Sequence, residues 1–107
     1  METMTKEAKD LLVRLYKERQ RRAKNNIKPV NYFGNSDELL ALFGFNYDSD
    51  YMADLCWELN HIGYIHCALG DDLANDIELS RLGIAEMENL PKETLLKLFD
   101  NLTKLIP

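Results

Sequence analysis

The chain has 107 residues, 46% hydrophobic and 29% charged, with 13 basic against 18 acidic side chains and a formal net charge of −5. That length suits one domain burying roughly 65% of its unfolded surface, which excludes multi-domain machinery, and the apolar share argues against a disordered chain. No apolar run approaches the roughly 18 residues of a membrane span, and Met1–Glu7 lacks the apolar core of a secretory signal, so a cytoplasmic protein is expected. The charge is unevenly placed. Residues 1–28 carry nine Lys/Arg and four Asp/Glu, a net +5, whereas residues 29–107 carry four and fourteen, a net −10. Cys56 and Cys67 are too few for a disulfide framework and read as free thiols.

Thr5 is placed to cap a first helix over 5–26, with Glu7 near its positive end and an apolar stripe of Ala8, Leu11, Leu12, Leu15 and Tyr16. Beyond Tyr16 the stripe fades into charged residues of high helix propensity, so this helix outruns its own core contacts. Pro29 disfavours a helical Lys28, which makes Ile27–Asn35 extended or looped. Ser36 is expected to cap a second helix with Asp37 and Glu38 in its first turn and Gly44 as its stop. Asp48 or Ser49 caps a third helix ending at Gly63, with Met52, Leu55, Cys56, Leu59 and Ile62 facing inward. Tyr64–Leu69 reads as a strand, Gly70–Asp76 as a turn-rich loop and Ile77–Leu79 as the return strand. Ser80 caps a fourth helix covering Ile84, Ala85 and Met87. Pro91 starts a last helix over 91–107, with Leu95, Leu98, Phe99, Leu102, Leu105 and Ile106 at three- and four-residue steps. The expected class is α+β, mostly helical, as a single domain over 1–107.

The order of three helices, a β-hairpin and two helices, with a helix pair set just before the hairpin, is the layout of a winged helix-turn-helix. The segment Leu59-Asn60-His61-Ile62-Gly63-Tyr64-Ile65, an acidic loop, and Ile77-Glu78-Leu79-Ser80-Arg81-Leu82-Gly83-Ile84-Ala85-Glu86-Met87 carry a specific likeness. On these residues the stretch 36–88, about half the chain, resembles winged-helix regulators. Arg21-Arg22-Ala23-Lys24-Asn25 and Asn31-Tyr32-Phe33-Gly34 further resemble small uncharacterised proteins of Gram-positive prophages and mobile elements. The resemblance implies a third helix offered to DNA and a hairpin wing beside it, although the fold hosts DNA readers and protein adaptors alike.

The side chains of that helix point elsewhere. With the apolar set inward, the outward set is Asp50, Tyr51, Asp54, Trp57, Glu58 and His61, which contains three carboxylates and no Lys or Arg. A groove-reading helix needs Arg, Lys, Asn or Gln at base edges and cations near phosphates. Asp71, Asp72 and Asp76 repeat the problem on the wing, because carboxylates repel phosphates. Large aromatics ringed by charge have the composition of an interface anchor, although Trp57 equally suits inward packing and the acids a solvated face.

The basic counterpart is a ridge of Lys17, Arg21, Lys24 and Lys28 at helical steps, with Arg22 beside it. Three readings stand: a solvated helix end with Glu18 pairing to Arg14 or Arg22, a contact with protein or a second copy, and a salt-sensitive arm for nucleic-acid phosphates. The last helix closes the core or adds a dimer contact.

Catalytic and metal chemistry is set aside. Cys56 and His61 diverge by about 140° on a helix, His66 and Cys67 point to opposite faces of a strand, and the spacing matches no zinc pattern. The acidic run from Asp71 lacks the ligand alternation and central glycine of a calcium loop. No phosphate-cradling loop or nucleophile elbow occurs. The expectation is a non-enzymatic regulatory or adaptor protein without cofactor or metal, acting through the acidic-aromatic third-helix face on a protein partner or its own dimer mate. The alternative is a DNA-binding transcription regulator using the winged helix and the basic first helix.

Overall fold

Helix α1, Lys6–Lys24, begins where Thr5 sits in extended backbone and its hydroxyl accepts from the Ala8 N–H, a satisfied N-cap. It belongs to a computed structural model that describes residues 3–105, with side chains through Leu102. The remaining elements are α2 (Ser36–Phe43), α3 (Ser49–Ile62), β1 (Ile65–Gly70), β2 (Leu73–Leu79), α4 (Arg81–Glu88) and α5 (Lys92–Leu105). The expected α+β class, five helices and one antiparallel hairpin, is what is found.

Several boundaries differ from expectation for local reasons. The cap of α2 is Asn35, whose side chain accepts from the Glu38 N–H in a reciprocal capping box. Ser36 is instead fully buried, and its hydroxyl accepts from the Ala74 N–H of β2 at 3.2 Å. Strand β2 starts at Leu73, because the turn needs only Asp71 and Asp72, at φ 54° and 60°. Two consecutive left-handed residues make the mirror-image turn that suits a tight hairpin, and Asp tolerates that region better than most residues. The Asn75 side-chain amide then braces the tip by donating to the Gly70 carbonyl at 2.7 Å. The chain read as extended or looped before α2 pairs with the sheet. The Phe33 N–H donates to the Ile77 carbonyl, and the Ile77 and Leu79 N–H groups donate to the Gly34 and Asn31 carbonyls.

The core lies where α1, α3 and the hairpin meet. Leu11, Leu12 and Leu15 pack with Met52, Leu55, Cys56 and Leu59, and Ile65, Ile77, Leu79, Met87 and Leu102 close it. Ile62, expected inward, is half-buried and packs against the core without entering it. Helix α5 covers α1 with Leu95, Leu98 and Phe99 half-buried and Leu102 buried, so its stripe is spent mainly on core closure. Leu96 is its exposed apolar residue among those with described side chains, and Ile106 and the Leu105 side chain lie outside them. Arg14 and Asp10 form a buried pair at 2.8 Å, and Arg14 also donates to the Leu102 carbonyl and stacks on Phe45. Arg14 is therefore an internal strut tying α1 to α5, and it does not pair with Glu18.

Candidate functional site

The outward face of α3 is set by the burial of Met52, Ala53, Leu55, Cys56 and Leu59 on its other side. Asp50, Tyr51, Asp54 and His61 are exposed. Asp48 caps the helix by accepting from the Tyr51 N–H at 2.7 Å, and the Ser49 hydroxyl donates to Asp37 of α2 at 2.6 Å. The turn between the helices is thereby fixed, and it presents its carboxylates on a rigid support.

Two of the six residues singled out on α3 have structural duties. Glu58 accepts from both the N–H (2.6 Å) and the hydroxyl (2.9 Å) of Thr5, so its carboxylate sits at the positive end of α1 and anchors that helix to α3. Trp57 is half-buried and packs against the core. Asp50, Tyr51, Asp54 and His61 remain presented. An aromatic run that spacing alone does not reveal leads into this edge. Phe43, Phe45, Tyr47 and Tyr51 follow one another at centroid distances of 5.9, 5.1 and 4.9 Å. The signal was present as alternating aromatics through the turn, but alternation outside a strand does not announce a stack. Partial burial pushes the Tyr47 hydroxyl above its ordinary value, with Asp10 and Tyr51 adding to the shift.

The cationic ridge is shorter than its spacing implies. Helix α1 ends at Lys24 with Asn25 as its cap, so Lys28 lies beyond the helix and off the ridge line. Lys17 stacks 5.5 Å over Phe99 of α5. Arg22 is a loop clamp: it pairs with Glu18 at 2.8 Å, donates to the Pro29 and Tyr32 carbonyls, and covers the Phe33 ring. Glu18 also pairs with Arg21; that hydrogen bond is the main reason its carboxyl stays below the usual range, with burial opposing and Arg22 helping. Lys17, Arg21, Lys24 and Lys28 remain exposed.

The charge division is sharper on the structure than in the two halves of the chain. Residues 29–80, which span the loop, α2, α3 and the hairpin, contain ten Asp/Glu and no Lys or Arg. Wherever α3 and the hairpin tip approach a partner, they do so with carboxylates. Among the described residues no His, Cys, Asp and Glu cluster could hold a metal, and no helix is long and apolar enough to cross a membrane. Burial pushes the Cys56 thiol up to about 12, and Cys67 beside it adds to the shift, a setting opposite to that of a reactive thiolate. No protein family, curated protein or solved structure matches this chain.

Proposed function

We propose that this chain is a non-enzymatic winged-helix regulatory or adaptor protein that captures a basic surface of a protein partner on the exposed edge of α3. The winged-helix reading is supported by the helix pair α2 and α3 running directly into the β1–β2 hairpin. The observation that carries the function is the stretch 29–80, with ten carboxylates and no cation to meet a phosphate. Neutralised phosphates supply most non-specific DNA affinity, and this face offers repulsion instead. Asp50, Asp54 and His61 supply polar contacts, and Tyr51, 39% exposed and braced on Tyr47, supplies a rigid apolar anchor.

The test is affinity capture from the native cell, scored separately for protein and nucleic acid, with the wild type beside an Asp50→Lys/Asp54→Lys variant. Glu58 is left intact because reversing it would release Thr5. The reading expects a protein partner captured by the wild type and lost from the variant. Capture that ignores both substitutions refutes it.

The second reading is a DNA-binding transcription regulator that uses α1, and its support is the exposure of Arg21, Lys24 and Lys28. It expects a duplex mobility shift that weakens steeply with salt and disappears when those three are replaced by Gln. No shift at low salt rejects it.

A further inference from the structure

The large apolar side chains left in solvent are not scattered evenly. Ile27, Tyr32 and Leu42 are 39%, 40% and 44% exposed, and all three line one open groove of about 310 Å³ between the loop after α1 and the face of α2. Lys28 and Arg21 stand on its rim, the latter with 54% of its side chain exposed. Among the lining residues Arg21, Arg22 and Lys28 stand against Glu18 and Glu38, one net positive charge. The Asp76 carboxylate held by the Tyr32 hydroxyl lies beside the groove, so Arg21 and Lys28 are the cations open to a partner. An apolar floor with a cationic rim selects an apolar side chain flanked by carboxylates.

Such a group is present on the same molecule. Leu69 is 77% exposed, the highest value among the large apolar side chains that the structure describes. It lies at the end of β1 beside Asp71 and Asp72, both exposed at the hairpin tip. The tip is a braced two-residue turn, so the leucine and its carboxylates are presented with little freedom to lose on docking. We infer that the hairpin tip of one copy seats Leu69 in the Ile27–Tyr32–Leu42 groove of a second copy, with Asp71 and Asp72 meeting Arg21 and Lys28.

The placement of the two parts allows the contact to be reciprocal. The Tyr32 hydroxyl donates to Asp76 of the hairpin at 2.9 Å, and the Ala74 N–H is bound to Ser36 at the start of α2, so tip and groove belong to one side of the fold. A single two-fold axis then lets each tip enter the other groove, and the pairing closes at two copies. This surface is separate from the α3 edge, so its test is independent of the reading above.

Sedimentation velocity over a concentration series, at about 50 mM and about 500 mM salt, reads the association directly. The wild type is expected to dimerise, less strongly at high salt. Leu69→Ser removes the knob and Leu42→Glu spoils the groove, and each is expected to weaken dimerisation at least tenfold, roughly the effect of losing one central anchor. Mixing the two variants should restore association above that of either alone, since the intact tip of one meets the intact groove of the other. Asp72→Gly separates pairing from folding: glycine favours the left-handed backbone at that position, so the fold should gain stability while dimerisation weakens. A wild type that stays monomeric at low salt overturns the inference. So does a dimer indifferent to Leu69 and Leu42, or a mixture of variants that fails to associate.

Discussion

Gly83 lies inside α4 with ordinary helical backbone, where a helix-propensity argument recommends alanine and promises about 1 kcal/mol of stability. The tertiary structure demands the opposite. A Cβ at Gly83 would meet the Tyr64 carbonyl oxygen at 2.3 Å and its carbonyl carbon at 3.1 Å, far inside ordinary contact. The obstacle is backbone, and it is pinned: that same carbonyl accepts from the Ser80 N–H at 3.1 Å, while the Ser80 hydroxyl donates to Gly63 and accepts from Gly83. Relief requires α4 to move away from the start of β1 by about 1 Å, which loosens Met87 in the core and strains these cap bonds. Overpacking of this kind costs about 1–3 kcal/mol and the bonds add to it, so after the propensity gain Gly83→Ala is expected to lose about 2–3 kcal/mol. Urea unfolding followed by circular dichroism should show a lowered midpoint with an unchanged slope, and the melting temperature should fall by about 10 °C or more. An unchanged or raised midpoint would refute the close docking of α4 on Tyr64.

Three further outcomes test the struts around the candidate surfaces. Glu58→Ala should cost about 1–2 kcal/mol, because it strips both acceptors from Thr5; hydrogen exchange should rise in the first turn of α1 and not in α4. Glu18→Gln should cost about 1 kcal/mol at neutral pH. The Glu18 carboxyl titrates below its ordinary value of 4.5, so its contribution is complete above that pH and fades as acid passes through the folded value. The gap between wild type and variant should therefore close in acid, and a constant gap in urea melts would remove the ion pairs as its cause. At pH 8 a thiol reagent should label half-buried Cys67 well before Cys56, whose thiol is held at about 12. Because that folded value exceeds the ordinary 9.0, the stabilising effect of Cys56 is full below pH 9 and declines as pH rises through about 12. Equal labelling rates would contradict its burial.

The caps of α1 and α3, the glycine stops at Gly44 and Gly63 and the buried stripe of α1 were all legible in the sequence, since each depends on residues within four positions of one another. The same short range explains the errors. Ser36 has the chemistry of a cap, yet Asn35 takes that role once Ser36 is claimed by Ala74, 38 positions away. Seven turn-forming residues read as a long loop, whereas cross-strand pairing needs only two of them and uses the rest as strand. Lys28 fits a helical step of four from Lys24, but the helix has already ended.

The candidate surfaces divide along the same line. The acidic character of α3 and the hairpin is a property of composition, so the sequence by itself determined it: no folding of residues 29–80 brings in a cation the segment lacks. Which of those groups are available was decided by contacts between distant parts of the chain. Glu58 is taken by Thr5, 53 positions away, Arg14 by Leu102, 88 positions away, and Trp57 by the core. The groove of Ile27, Tyr32 and Leu42 exists only because the loop after α1 is clamped by Arg22 against the sheet and α2. Periodicity and capping act over one or two turns of chain, whereas burial and charge pairing are settled by whichever distant group the packed core brings near.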